Sequence, residues 1–121
     1  GLLPEPMNES SFFAYLKEKM DLKVIKHTHF LHKPIQKVAV CGGSGSFLLQ
    51  KAIDQGAAIF ITADFKYHEF FDAENKIVIA DIGHYESEQF TAQLFNKIIS
   101  DKFPTFAVQI STINTNPINY I

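Results

Sequence analysis

The 121-residue sequence contains only one cysteine, Cys41, so it cannot form an internal disulfide. A lone thiol fits a reducing compartment. No apolar run approaches the roughly 20 residues that a membrane-spanning helix needs. The first ten residues also lack the basic and apolar regions of a secretory signal. These absences predict a cytoplasmic protein that does not associate with membranes.

Blocks of like charge, internal repeats and low-complexity segments are absent as well. The formal net charge is −2, and charged residues make up 20% of the chain. Such a balance offers no extended basic surface, so nucleic-acid binding is not indicated. Apolar residues make up 46%, which is usual for a soluble globular protein. The length suits one small domain with a modest core.

Residues 1–36 predict a lead-in helix and an edge strand. The opening, GLLPEPMNES, holds two prolines and reads as a linker. Asn8 or Ser10 can cap a helix that continues with apolar residues at helical spacing. Lys23–Phe30 is rich in β-branched residues but polar, which favours a strand at the edge of a sheet.

Residues 37–121 predict a βαβαβαβ core. The predicted strands are Lys37–Cys41, Ala58–Thr62, Lys76–Ile82 and Thr105–Ile110, and the helices run through residues 47–53, 68–73 and 84–100. Apolar strands that alternate with helices indicate an α/β fold, with a mostly parallel sheet and helices on both faces. Ligands of such sheets bind beyond the carboxyl ends of the strands. The loops CGGSGS, TADFKYH and DIGHYESE should therefore converge on one rim.

DIGHYESE is the most informative of these loops. His84 and Glu88 lie four residues apart at the start of a helix, so their side chains share one face. An imidazole and a carboxylate presented together suit zinc, iron or manganese. The alternative is a helix N-terminus whose acids complement the helix dipole.

TADFKYH places Asp64 just past a strand and His68 on the first turn of the next helix. Asp64 could orient a ligand or a water, and His68 could act as a general acid or base or hold a phosphate. From this loop alone, the stronger interpretation of Asp64 is a helix cap.

CGGSGS resembles a turn that holds a phosphate, with Gly43, Ser44 and Gly45 as candidate substrate-binding residues. It matches neither the P-loop nor the dinucleotide pattern. A purely structural strand-to-helix turn is at least as well supported. Three further histidines, in HTHFLH, could form a metal clip, but polar residues on an edge strand account for them better.

Taken together, the successive motifs KVAVCGGSGS, ITADFKYH and IADIGHYESE resemble the C-terminal half of the Nif-three-like family. Its members are also called YbgI-type dinuclear metal centre proteins or GTP cyclohydrolase I type 2 homologues. The resemblance covers nearly the whole chain, and GLLPEPMNESSF is similar to the segment that follows the family's inserted domain. It implies half of a Nif-three-like domain.

The resemblance also implies a site. Family members bind two divalent metal ions (zinc, iron, manganese or magnesium) through a His-His pair and an Asp from the N-terminal half and through the His and Glu of a GHYxSE motif. By position, those last two ligands are His84 and Glu88. Asp64 and His68 match the TGDxKYH motif beside the metals and are implied to be catalytic or substrate-facing, with Ala63 where the family usually has glycine.

The His-His pair is absent from these 121 residues. The chain alone is therefore expected to bind metal weakly or not at all, and to be inactive, because catalytic metals usually have three or more protein ligands. The leading hypothesis is a full-length metal-dependent hydrolase that acts on a small phosphate ester or nucleotide-like substrate. The resemblance further implies a homo-oligomer, hexameric at full length. The alternative is a non-catalytic nucleotide-binding or protein-interaction module with a regulatory role.

Overall fold

The computed structural model describes all 121 residues and divides into two compact units, Gly1–Ser87 and Glu88–Ile121. The strands are β1 (Leu2–Met7), β2 (Lys26–His27), β3 (Ile35–Ser44), β4 (Ile59–Ala63) and β5 (Val78–Asp81). The helices are α1 (Glu9–Lys19), α2 (Leu49–Asp54), α3 (His84–Glu88) and α4 (Thr91–Lys102), with 3₁₀ helices at Ser46–Leu48 and Tyr67–Ala73. None of them has both the length and the apolar character required to cross a membrane.

The five strands lie in the order β1-β3-β4-β5-β2. β3, β4 and β5 pair in parallel, while β1 and β2 add antiparallel edges. This confirms the predicted α/β fold, whose central strands are parallel. β3 continues to Ser44, so the first part of CGGSGS still belongs to the strand.

Apolar side chains alternate between the two faces of the sheet and form a core on each. On one face, α1 packs against β4 and β5 through Phe12, Phe13, Leu16, Ile59, Ile61, Val78 and Ala80. On the other, α2 and the second 3₁₀ helix pack through Leu49, Ala52, Phe60, Ala73, Ile77 and Ile79. Helices therefore cover both faces as predicted. The strand ends remain as the place where polar side chains can meet.

The predictions for the first 36 residues need two corrections. The predicted linker is strand β1, which pairs with β3, and its prolines are tolerated because the strand lies at the edge of the sheet. The predicted edge strand over Lys23–Phe30 is reduced to Lys26–His27. It ends there because the Thr28 side chain, through Oγ1, accepts the N–H of Ile79 in place of a backbone carbonyl.

The predictions for the C-terminal third also need correction. The predicted helix over 84–100 is two helices, separated by a turn at Gln89 and Phe90 that neither glycine nor proline marks in the sequence. The predicted strand Thr105–Ile110 is not formed. A strand needs a neighbour to satisfy its backbone groups, and the unit Glu88–Ile121 contains no other strand. The predicted βαβαβαβ core over 37–121 therefore has three strands, not four.

Candidate metal centre

The three loops that leave β3, β4 and β5 converge on one rim, as predicted, because parallel strands end at the same edge. Hydrogen bonds join the ends of these strands and the residues that follow them. The N–H of Gly43 donates to Ser87 Oγ at 2.8 Å, and Thr62 Oγ1 donates to the Gly43 carbonyl at 2.9 Å. His84 Nδ1 lies 2.6 Å from Asp64 Oδ2. The rim is thus a connected polar site within the first unit.

The pair formed by His84 and Asp64 is the chemically distinctive part of the rim. Both side chains are about half exposed, at 52% and 47%. A carboxylate at Nδ1 accepts the proton of that nitrogen and so fixes the tautomer in which Nε2 carries the lone pair. Imidazoles that bind metals usually have such a partner on their other nitrogen. The donor chemistry therefore fits a metal site.

Asp64 does not cap the helix that follows, so the capping interpretation is wrong. The cap of the 3₁₀ helix Tyr67–Ala73 is Lys66, whose N–H donates to Glu69 Oε2 at 2.8 Å. Asp64 instead has a φ of 60°, in the left-handed region. For a residue with a Cβ this costs on the order of 1 kcal/mol or more. That backbone conformation presents the carboxylate to His84.

Sequence reasoning missed Asp81, which ends β5 and is 2% exposed. Its Oδ2 accepts a hydrogen bond from the N–H of Phe65 at 3.1 Å. The same oxygen forms an ion pair with Lys26 Nζ at 2.7 Å. Its Oδ1 accepts the N–H of Gly83 at 3.1 Å. One carboxylate therefore fixes the loop after β4 and the loop after β5. The sequence feature that could have pointed to Asp81 is an acid at the end of an otherwise apolar strand.

The glycine-rich segment is fixed internally, which supports its structural interpretation. Gly43 and Gly45 are buried, whereas Ser44 is exposed. A Cβ added to Gly45 would lie 2.3 Å from Thr62 Oγ1. The close approach of these two segments therefore requires glycine at position 45. Ser87 Oγ, which accepts the Gly43 N–H, also donates to the His84 carbonyl at 2.8 Å. Substrate binding by Gly43, Ser44 and Gly45 stays a prediction.

The remaining candidates lie as follows. His68 is exposed on the 3₁₀ helix Tyr67–Ala73, with its ring 5.2 Å from that of Tyr67. Glu88 is exposed, ends α3 and begins the second unit. Nowhere in the structure do three or more His, Cys, Asp or Glu side chains group closely enough to hold a metal ion.

Of the histidines in HTHFLH, only His27 lies on the edge strand β2. The ring of His27 stacks on Phe30 at 5.1 Å between centroids, and its Nδ1 lies 2.7 Å from the Thr28 carbonyl oxygen. The N–H of His32 donates to the buried carboxylate of Glu9 at 3.0 Å. These contacts hold the loop after β2 in place and do not assemble a metal clip.

A parallel sheet whose strand-end loops present a histidine–carboxylate pair defines an α/β protein with a candidate ligand site at its rim. Comparison with known families makes this specific. The sequence model of Duf34/NIF3 (NGG1p interacting factor 3) matches residues 1–117, and the chain belongs to that family.

Curated relatives are named as GTP cyclohydrolase 1 type 2 homologs. The protein of Staphylococcus epidermidis is 32% identical over 124 residues, which cover 99% of this chain and 34% of the relative. The protein of Campylobacter jejuni is 33% identical over 118 residues, which cover 93% of this chain and 46% of the relative. The chain thus spans between a third and a half of the length of these relatives.

Solved structures show the same fold. The hypothetical protein SA1388 of Staphylococcus aureus superposes with a TM-score of 0.90 at 29% identity, over 99% of this chain and 41% of that one. A Bacillus cereus protein related to NIF3 gives a TM-score of 0.82 at 27% identity, over 100% of this chain and 35% of that protein. The chain therefore has the fold of one portion of a longer NIF3 protein.

Proposed function

We propose that this chain supplies one part of the metal site of a hydrolase, whose full-length form cleaves a phosphate ester or nucleotide-like substrate. The observation that supports this most is the contact between His84 Nδ1 and Asp64 Oδ2, at 2.6 Å on the rim of a parallel sheet. A carboxylate on one ring nitrogen fixes the tautomer and orientation of the imidazole, as is usual for a metal-binding histidine.

His84 and Glu88 would be the metal ligands of this part. The sequence spacing of four residues and the resemblance to the family support Glu88. Two protein ligands are too few for a catalytic metal, so the part of the family that this chain does not span would supply the others. Two divalent ions held there would activate a water and stabilise the leaving oxygen of a phosphate ester.

Other residues of the chain would serve that reaction. Asp64 would hold the His84 imidazole in one tautomer and one orientation. His68 is exposed on the neighbouring 3₁₀ helix, where it could donate a proton to the leaving group. The exposed hydroxyl of Ser44 could bind an anionic oxygen of the substrate.

The test uses the full-length protein with His84→Ala and Glu88→Ala, and His32→Asn as a control. His32 is exposed, has a φ of 55° that asparagine tolerates, and lies outside the rim loops. Bound metal is measured by mass spectrometry and turnover with bis(p-nitrophenyl) phosphate. We expect both site variants to lose metal and turnover, while the control retains them. Full metal content in both site variants would contradict the ligand assignment. If the unmodified full-length protein binds metal but shows no turnover, the result would favour the non-catalytic regulatory module.

A further inference from the structure

The first unit has a cleft of about 440 Å³ that none of the functions above uses. It lies between the segment after β2 and the 3₁₀ helix Tyr67–Ala73. We call it the aromatic cleft and define it by Lys26, His29, Leu31, Tyr67, Phe70 and Phe71. Its volume falls within the range of about 300–1,000 Å³ that is usual for small-molecule sites.

Two aromatic rings stand exposed on the cleft. Tyr67 is 74% exposed and Phe71 is 65% exposed. Their centroids are 5.6 Å apart and their planes meet at 76°, so they pack edge to face. The wall that carries them is anchored, because Phe70 packs on the buried Phe65 at 5.3 Å. Large aromatic rings in contact with solvent are typical of a binding surface.

The opposite wall carries the ammonium group of Lys26. Lys26 Nζ is 2.7 Å from the buried carboxylate of Asp81, and its side chain is 60% exposed. An ammonium has three donors, so this contact leaves donors that can face the cleft. His29 is exposed on the same side. Glu74 also lines the cleft, but its carboxylate is paired with Lys76.

We propose that the aromatic cleft binds a planar aromatic small molecule that carries a negatively charged group. The aromatic ring packs on Tyr67 and Phe71, and the anionic group lies against Lys26 and His29. Lys26 pairs with Asp81 at the carboxyl end of β5, so the anionic group lies toward the rim. The inference goes beyond the proposed function, because this binding requires no metal.

The test titrates 2-naphthoate into the 121-residue chain in a buffer with EDTA, by calorimetry and by ¹H–¹⁵N correlation spectra. We expect saturable binding, with the largest shifts around residues 67–71 and 26–29. Tyr67→Leu and Phe71→Leu should each weaken binding roughly 2- to 10-fold, as expected for the loss of one aromatic contact. Phe47→Leu is the matched control, because Phe47 is 78% exposed and does not line the cleft.

Two further ligands separate the parts of the proposal. Neutral 2-naphthalenemethanol should bind several-fold more weakly than 2-naphthoate, and cyclohexanecarboxylate should not bind measurably. Equal weakening in the Phe47 variant, or equal affinity for the neutral analogue, would overturn the proposal. An apparent affinity that falls as protein concentration rises would also overturn it, since a second copy of the chain would then occupy the cleft. Every titration is made without metal, so a failure of the aromatic-cleft proposal is distinct from a failure of the hydrolase proposal.

Discussion

Replacing Asp81 with Asn should destabilise the first unit by about 2–3 kcal/mol. The buried carboxylate accepts the N–H of Phe65 on one oxygen and the N–H of Gly83 on the other. An asparagine amide has one oxygen, so one of these donors would face an NH₂ group and lose its partner. A lost hydrogen bond to a charged group costs about 1.5–3 kcal/mol. Lys26 adds roughly 0–1 kcal/mol because its side chain is 60% exposed and rehydrates.

Urea unfolding followed by far-UV circular dichroism measures this effect. With a slope of about 1–3 kcal/mol per molar urea, the midpoint should fall by about 0.7–3 M. Asp72→Asn is the control, because Asp72 is an exposed acid on the 3₁₀ helix Tyr67–Ala73. An Asp81→Asn protein within about 0.5 kcal/mol of the parent chain, the usual range for a surface substitution, would refute the claim that this carboxylate fixes both loops.

Three further outcomes are expected. Asp64→Asn in the full-length protein should lower metal affinity about 10- to 100-fold in chelator competition; unchanged affinity would show that the carboxylate does not orient His84. Gly45→Ala should destabilise the chain by about 1–3 kcal/mol in urea, because its Cβ would lie 2.3 Å from a hydroxyl oxygen, whereas Gly1→Ala has open space and should be neutral. The 121-residue chain should self-associate in light scattering through α4, where Leu94 is 56% exposed and no residue is buried, and Leu94→Glu should reduce this.

The central strands and their common rim could be predicted from local pattern. The runs KVAVC, AIFIT and KIVIADI are apolar enough to be buried on both faces, which is the condition of a parallel sheet between two helical layers. Parallel strands end at one edge, so the meeting of Asp64 with His84 followed from topology even though 20 residues separate them.

What could not be predicted depends on partners distant in the sequence. The local sequence around Asp81 indicates only the end of a strand. Its partners are Lys26, Phe65 and Gly83, which belong to three different segments. Thr105–Ile110 has the composition of a strand, but composition supplies no neighbour with which to pair. Asp64 has the position of a cap, yet the N-cap is Lys66, whose N–H donates to Glu69, and Asp64 itself has a left-handed backbone.

The central claim is that the ring nitrogen of His84 opposite Asp64 is a metal ligand. The most direct measurement is an anomalous difference map from crystals of the full-length protein grown with Mn²⁺. We expect a peak about 2.0–2.3 Å from His84 Nε2, with Asp64 still bound at Nδ1. A peak elsewhere, or a His84 ring that points away from every metal while Asp64 holds it, would show that His84 is not a ligand.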